Sequence, residues 1–104
     1  MASIRALKIT GVVTLVDVDN NLKALQHAVD GYIETITLRG GAVMIVDEEG
    51  MLKEKPLNPI AGLIAGTMIY GVALIVGRDS DEFCDVPDEL ITILTEFSDD
   101  LMGI

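Results

Sequence analysis

The chain has 104 residues, of which 50% are hydrophobic, and a formal net charge of −10 from 17 acidic and 7 basic side chains. This length predicts one domain over residues 1–104, with a core large enough to fold without disulfides or bound metal. The negative charge disfavours contact with nucleic acids and anionic membranes, so neither is an expected partner. Cys84 is the single cysteine and no signal peptide precedes Ser3, so we expect a cytoplasmic protein without disulfides.

The chain begins with two short runs of strand-forming residues, in each of which successive side chains would lie on alternate faces of a strand. Ile4–Ile9 and Val12–Val18 therefore predict two strands, and the Gly-containing segment between them predicts a tight turn. The sequence thus indicates a β-hairpin at the start of the fold.

A helical pattern follows this hairpin directly, over Asn21–Val29. Its hydrophobic side chains recur at three- and four-residue spacing, which places them on one face of a helix. Asp19 or Asn20 is the predicted N-cap, and Gly31 is predicted to end the helix in the left-handed conformation.

A second hairpin is predicted from Tyr32–Leu38 and Ala42–Val46, which are joined by a turn that contains two glycines. The segment Asp47-Glu48-Glu49-Gly50 then predicts a turn at the surface. Because its carboxylates are consecutive and lack the spacing of an EF-hand loop, we expect no metal site there.

The most distinctive stretch is Leu57–Gly77, which contains no charged side chain. Its length would suffice to span a bilayer, but its glycines disfavour a long helix and its flanks lack aromatic or basic anchors. We therefore predict a short buried helix, capped by Asn58 and begun by Pro59, and then a central strand over Met68–Val76. A buried contact from Asn58 to a ligand is the alternative interpretation of that residue.

Acidic residues are frequent after the predicted central strand. Arg78–Asp85 is predicted to be an exposed loop, and Pro87 opens a last helix whose acidic first turn is favoured by the helix dipole. The hydrophobic stripe of this helix consists of Leu90, Ile93, Leu94, Phe97 and Leu101. The predicted acidic surface consists of Asp79, Asp81, Glu82, Asp85, Asp88 and Glu89.

The predicted order of elements is β-β-α-β-β-α-β-α, with a further short segment at residues 51–55 that is either an edge strand or a loop. Strands interrupted by single helices indicate an α+β fold with a mixed or antiparallel sheet. We expect the helices to pack on one face of that sheet. The opening hairpin, helix and return strand resemble the start of a β-grasp domain, a similarity of element order that predicts no function.

The middle of the chain resembles a known family through Gly31-Tyr32-Ile33-Glu34, Asp47-Glu48-Glu49-Gly50, and Pro56-Leu57-Asn58 followed by Ala61. That family contains short proteins of bacteriophages and mobile elements and is catalogued only as a domain of unknown function. The resemblance implies a genetic context in which small accessory proteins act on host machinery. The positions that it marks are Gly31, Tyr32, Glu34 and Asn58.

No nucleophile–base pair and no cluster of metal ligands can be assigned from the spacing, so we expect neither an enzyme nor a cofactor. The first hypothesis is a small acidic accessory protein that binds a host protein. In its concrete form it inhibits a nucleic-acid-binding defence or transcription enzyme by mimicking the charge of nucleic acid. The alternative is a homo-oligomeric module that holds a small ligand near Tyr32, Glu34 and Asn58.

Overall fold

The described part of the chain, residues 2–102 with side chains for residues 2–96, forms an antiparallel sheet and three helices in a computed structural model. The predicted α+β class is confirmed. The elements in chain order are β1 (Ser3–Ile9), β2 (Val13–Asp19), α1 (Leu22–Val29), β3 (Ile33–Thr37), β4 (Ala42–Asp47), α2 (Pro59–Ala65), β5 (Ala73–Asp79), β6 (Glu82–Cys84) and α3 (Asp88–Met102).

Five of the strands lie side by side in the order β2-β1-β5-β4-β3, and each neighbouring pair is antiparallel. β6 pairs with the C-terminal end of β5, beyond the residues of β5 that pair with β1. The sheet therefore has β5 near its centre, with β2 and β3 on opposite edges.

Residues 2–102 contain three hairpins where the sequence predicted two. The hairpins β1–β2 and β3–β4 confirm the prediction. The predicted loop over Arg78–Asp85 is wrong, because β5 and β6 form a hairpin within it. The turn of this hairpin holds Ser80 at a φ of 57°. Of the two central residues, Ser80 and Asp81, the first alone has a positive φ, and such turns usually place Gly there, so Ser80 gives no turn signal.

Helices cover both faces of the sheet, which corrects the prediction that they pack on one face. α2 and α3 cover the face that contains Leu7 and Ile9 of β1, whereas α1 covers the face that contains Ile4 and Ala6. The reason lies in β4, which is buried at every position. A strand that is hydrophobic on both sides needs a layer of structure on each.

The ends of α1 lie close to the predicted positions but are formed by other residues. Asn21, rather than Asp19 or Asn20, is the N-cap, and its side-chain oxygen accepts a hydrogen bond from a first-turn amide at 2.8 Å. Asp30, rather than Gly31, takes the left-handed conformation, with a φ of 57°. Asp tolerates this conformation better than most residues, so the helix ends without using the glycine.

The uncharged stretch is divided between α2 and the first part of β5. Asn58 caps α2 and Pro59 is its first residue, as predicted. The strand begins at Ala73 instead of Met68, because Gly71 takes a φ of 86° and interrupts the extended backbone. In the described part of the chain, no helix is long and apolar enough to cross a membrane.

The last helix, α3, begins with an acidic first turn formed by Asp88 and Glu89, as predicted. In its expected hydrophobic stripe, Leu94 is buried but Ile93 is 56% exposed. Phe97 and Leu101, the remaining C-terminal members of that stripe, lie outside the residues whose side chains are described. The acidic start of α3 adjoins the β5–β6 hairpin in sequence, so both belong to one end of the molecule.

Candidate functional site

The three residues predicted to bind a ligand do not meet in one cavity. Tyr32 is 66% exposed, Glu34 is exposed on the edge strand β3, and Asn58 is 4% exposed at the start of α2. Asn58 lines a cavity of about 320 Å³ beside the β1–β2 turn. Glu34 lines a different cavity, of about 300 Å³, at the end of β4. Tyr32 lines neither of these two cavities.

The side chain of Asn58 connects three separate segments of backbone. Its Nδ2 donates hydrogen bonds to the carbonyls of Ile9, at 2.9 Å, and Gly71, at 2.8 Å. Its Oδ1 accepts a hydrogen bond from the amide of Ala61 at 3.2 Å, which caps α2. Both amide protons are therefore used by the protein's own backbone, and the fold accounts for this residue without a ligand.

Sequence reasoning missed the most tightly bound carboxylate, that of Asp47. We predicted it in a surface turn, but its side chain is only 1% exposed. Its Oδ2 lies 2.7 Å from Lys55 Nζ and 3.0 Å from Lys53 Nζ. Its Oδ1 accepts a hydrogen bond from the Glu49 amide at 2.9 Å. The sequence signal was its place directly after the all-hydrophobic run of β4, with two lysines shortly afterwards.

The lysine that binds Asp47 most closely also reaches the C-terminal end of α1. Lys55 Nζ donates to the carbonyl of Val29 at 2.9 Å and to the carbonyl of Asp30 at 2.8 Å. A positive charge at this end of a helix is favoured by the helix dipole. The Asp47–Lys55 pair thus joins the end of β4 to the end of α1.

The close approach of these segments explains Gly31. A Cβ atom on residue 31 would lie 2.3 to 2.6 Å from the carboxylate atoms of Asp47, which is too close for any side chain. Gly31 therefore leaves room for the buried carboxylate, instead of ending α1 as predicted. One contact in this way explains Gly31, a position that the family resemblance marks, and Asp47, which lies in its Asp47-Glu48-Glu49-Gly50 motif.

The environment of Asp47 changes its acidity. Burial raises the pKa of Asp47, but hydrogen bonds from Lys55, the Glu49 amide and Lys53 outweigh burial and lower this pKa from 3.8 to about 2. The hydrogen bond to Asp47 in turn raises the pKa of Lys53. Asp47 is therefore held as a carboxylate by groups of this chain.

The acidic surface predicted from the sequence lies on the β5–β6 hairpin and the first turn of α3. Its six members are exposed: Asp79, Asp81, Glu82, Asp85, Asp88 and Glu89. Asp79 and Glu82 are directly opposite each other in the hairpin. Like charges in this arrangement repel each other, so the close grouping of carboxylates slightly destabilises the folded chain.

One basic side chain, Arg5, contacts the acidic surface. Its Nη2 lies 3.2 Å from Asp88 and its Nε lies 3.8 Å from Asp85. Its backbone amide also donates to Asp85 at 2.8 Å. Asp17 faces Arg5 across the β1–β2 hairpin. Arg78 of β5 also lies in the β5–β6 hairpin, where it is exposed and next to Asp79 in sequence. The six acidic side chains outnumber these two guanidinium groups, so the region keeps a net negative charge.

Comparison with known proteins gives a family and no activity. A family model described as a domain of unknown function (DUF3846) matches residues 4–99, which is almost the whole chain. No curated protein and no solved structure was found to match. The resemblance identified from the sequence is confirmed at the level of the family.

Proposed function

Since the chain belongs to the DUF3846 family, whose description assigns no activity, we propose from its surface chemistry that it is a small binding protein without catalytic function. Its acidic surface binds a basic groove on a host protein. The concrete form of this proposal is charge mimicry, in which the carboxylates occupy the nucleic-acid site of a defence or transcription enzyme. The proposed setting is the cytoplasm of a cell that carries a phage or mobile element.

The observation that carries the proposal is the uneven distribution of charge. Three of the seven basic side chains are held in ion pairs within the fold: Arg5, Lys53 and Lys55. Lys53 and Lys55 neutralise the buried Asp47, so their positive charges do not offset the carboxylates of the acidic surface. A surface with this excess of one charge attracts an oppositely charged groove over a distance of about a Debye length.

The backbone that carries the acidic surface is fixed by hydrogen bonds to the central sheet. The β5–β6 hairpin continues the sheet, and the amide of Val86 donates to the carbonyl of Arg5 at 2.9 Å. The Cα positions of the carboxylates are therefore ordered before binding. Such preorganisation lowers the entropy that association would otherwise lose, which supports a recognition role.

The proposal is tested by capturing a partner from host lysate and measuring its affinity for the purified chain at two salt concentrations. We expect the affinity to fall about tenfold or more between about 50 mM and about 200 mM salt, because exposed charges are screened. An affinity that does not change with salt would reject the charge mechanism.

A pair of variants locates the contact. The double variant Asp81→Asn/Glu82→Gln removes two charges from the acidic surface, and Glu54→Gln/Glu96→Gln removes two exposed charges elsewhere. We expect the first variant to lose most of the binding and the second to retain it. Equal losses would show that the partner senses only the net charge, and the acidic surface would then not be the site.

A further inference from the structure

Glu34 is a position of the family resemblance that neither folding nor the acidic surface explains. Gly31 makes room for Asp47 and Asn58 bonds to three backbone segments. The carboxylate of Glu34, in contrast, is exposed and forms no hydrogen bond or ion pair with any other residue that the structure describes. Its charge is therefore available to a group from outside the chain.

Glu34 lines the cavity of about 300 Å³ at the end of β4, hereafter the Glu34 cavity. The loop between α2 and β5 forms the opposite wall. The residues whose side chains define the chemistry of this cavity are Glu34, Glu48, Met51, Met68 and Tyr70. None of the described residues that line it is Lys, Arg or His. Asp47 also borders this cavity, but its carboxylate is already paired with Lys53 and Lys55. The remaining side chains combine two carboxylates with an aromatic ring and two thioethers.

The nearby lysines do not neutralise these carboxylates. Lys53 and Lys55 place their ammonium groups on Asp47 and on the carbonyl of Asp30, at the end of α1. Asp47 alternates with Val46, so its side chain faces α1 while Val46 faces the side of α2. The charge of the Glu34 cavity is thus not compensated by the ion pairs that stabilise the fold.

We propose that the Glu34 cavity binds an organic cation, an ammonium or guanidinium group on an aliphatic stem. The carboxylates bind the charge, the ring of Tyr70 attracts a cation to its face, and the methionines pack against the stem. The volume lies at the lower end of the range for ligand sites, which fits a small molecule or one basic side chain.

This site is separate from the acidic surface. The acidic surface lies at the C-terminal end of β5 and next to β1, whereas the Glu34 cavity lies before the start of β5 and next to β3. The inference therefore goes beyond the proposed function and can fail or succeed independently of it.

The test is a titration of the isotope-labelled full chain, followed by backbone amide NMR. Two cationic probes distinguish the sources of the ligand: agmatine represents a free cation, and end-blocked Gly-Arg-Gly represents a protein side chain. We expect saturable shifts at Glu34, Val46 and Thr67–Tyr70 with at least one of them. A neutral alcohol and end-blocked Gly-norleucine-Gly serve as uncharged counterparts. Equal shifts with the counterparts, or shifts centred on the acidic surface, would overturn the proposal.

Two variants that each remove one negative charge distinguish binding in this cavity from a general attraction of cations to the acidic protein. Glu34→Gln is expected to weaken binding about tenfold, because a hydrogen bond to a charged group is replaced by a neutral one. Glu89→Gln, in the acidic surface, is expected to change the affinity by less than about twofold. Equal weakening by both would overturn the site. Tyr70→Phe keeps the ring and removes only the hydroxyl, so it should retain binding. A large loss of affinity in this variant would show that the hydroxyl, rather than the face of the ring, contacts the cation.

Discussion

Two regions of this molecule use carboxylates in opposite ways. Asp47 is almost fully buried and is bound by Lys55, Lys53 and a backbone amide. The acidic surface at the other end holds six exposed carboxylates, two of which form ion pairs with Arg5. A buried carboxylate must be compensated for the chain to fold, whereas exposed carboxylates contribute little to stability and remain available to a partner.

The largest expected effect concerns Asn58, which like Asp47 is a buried polar side chain. Asn58→Asp should lower the free energy of unfolding by about 4 kcal/mol. Asp caps a helix as well as Asn does, but it cannot donate to the carbonyls of Ile9 and Gly71, and its charge would face their oxygens. Urea denaturation measures this loss.

Asn21→Asp is the matched control for this prediction. Asn21 caps α1 by accepting one hydrogen bond from the amide of Ala24. Asp can make the same bond, so this variant should change the stability by less than about 0.5 kcal/mol. If Asn58→Asp were equally mild, helix capping alone would explain Asn58, and its cross-links between segments would contribute nothing.

The next effect is a dependence of stability on pH. The folded-state pKa of Asp47 is about 2, below the ordinary value of 3.8. A lowered carboxyl pKa stabilises the fold above the unfolded-state value, and this contribution is lost as the pH falls towards the folded-state value. Asp47 should thus contribute about 2 kcal/mol above about pH 4, most of which disappears by about pH 2.

Asp47→Asn isolates this contribution from those of the other acids. At neutral pH we expect the variant to be less stable by about 3 kcal/mol, because it leaves two lysines without their buried partner. Its difference from the natural chain should shrink as the pH falls to about 2, as followed by urea denaturation at each pH. A difference that stays constant would show that Asp47 stabilises through shape alone. Asp81→Asn, in the acidic surface, should show no such effect.

Local patterns explain which parts of the fold were predictable. The first two hairpins follow from short runs of strand-forming residues joined by turns that contain glycine, and the start of α2 follows from the adjacent Asn58 and Pro59. Helices pack on both faces of the sheet because β4 and β5 lie near its centre. Local patterns do not reveal this position, since it depends on the order of the strands in the sheet. The β5–β6 hairpin was missed because Ser80 takes a positive φ without the usual glycine.

The candidate sites were likewise predictable only where they depend on neighbouring residues in the sequence. The acidic surface could be predicted because exposed charges in one segment stay close together whatever the fold. The buried contact of Asp47 could not, since it depends on two lysines and on Gly31, which come from other segments. Within Asp47-Glu48-Glu49 the sequence gives the three acids the same chemistry, and only their position relative to the sheet separates them.

The smallest expected effect lies in the acidic surface itself. Glu82→Gln removes the repulsion between Glu82 and Asp79, which face each other across the β5–β6 hairpin. The variant should therefore be slightly more stable than the natural chain, by about 0.5 kcal/mol or less. Glu89→Gln, which removes an equal charge outside this pair, is the control in the same urea experiment and should change the stability even less.

The sign of this small change matters more than its size. If Glu82→Gln raises the stability while weakening the binding of a partner, the carboxylate is kept at a cost to the fold, as a binding role requires. If it lowers the stability, Glu82 supports the hairpin in the way that Lys55 supports Asp47. The contrast between structural carboxylates and binding carboxylates would then not hold for this molecule.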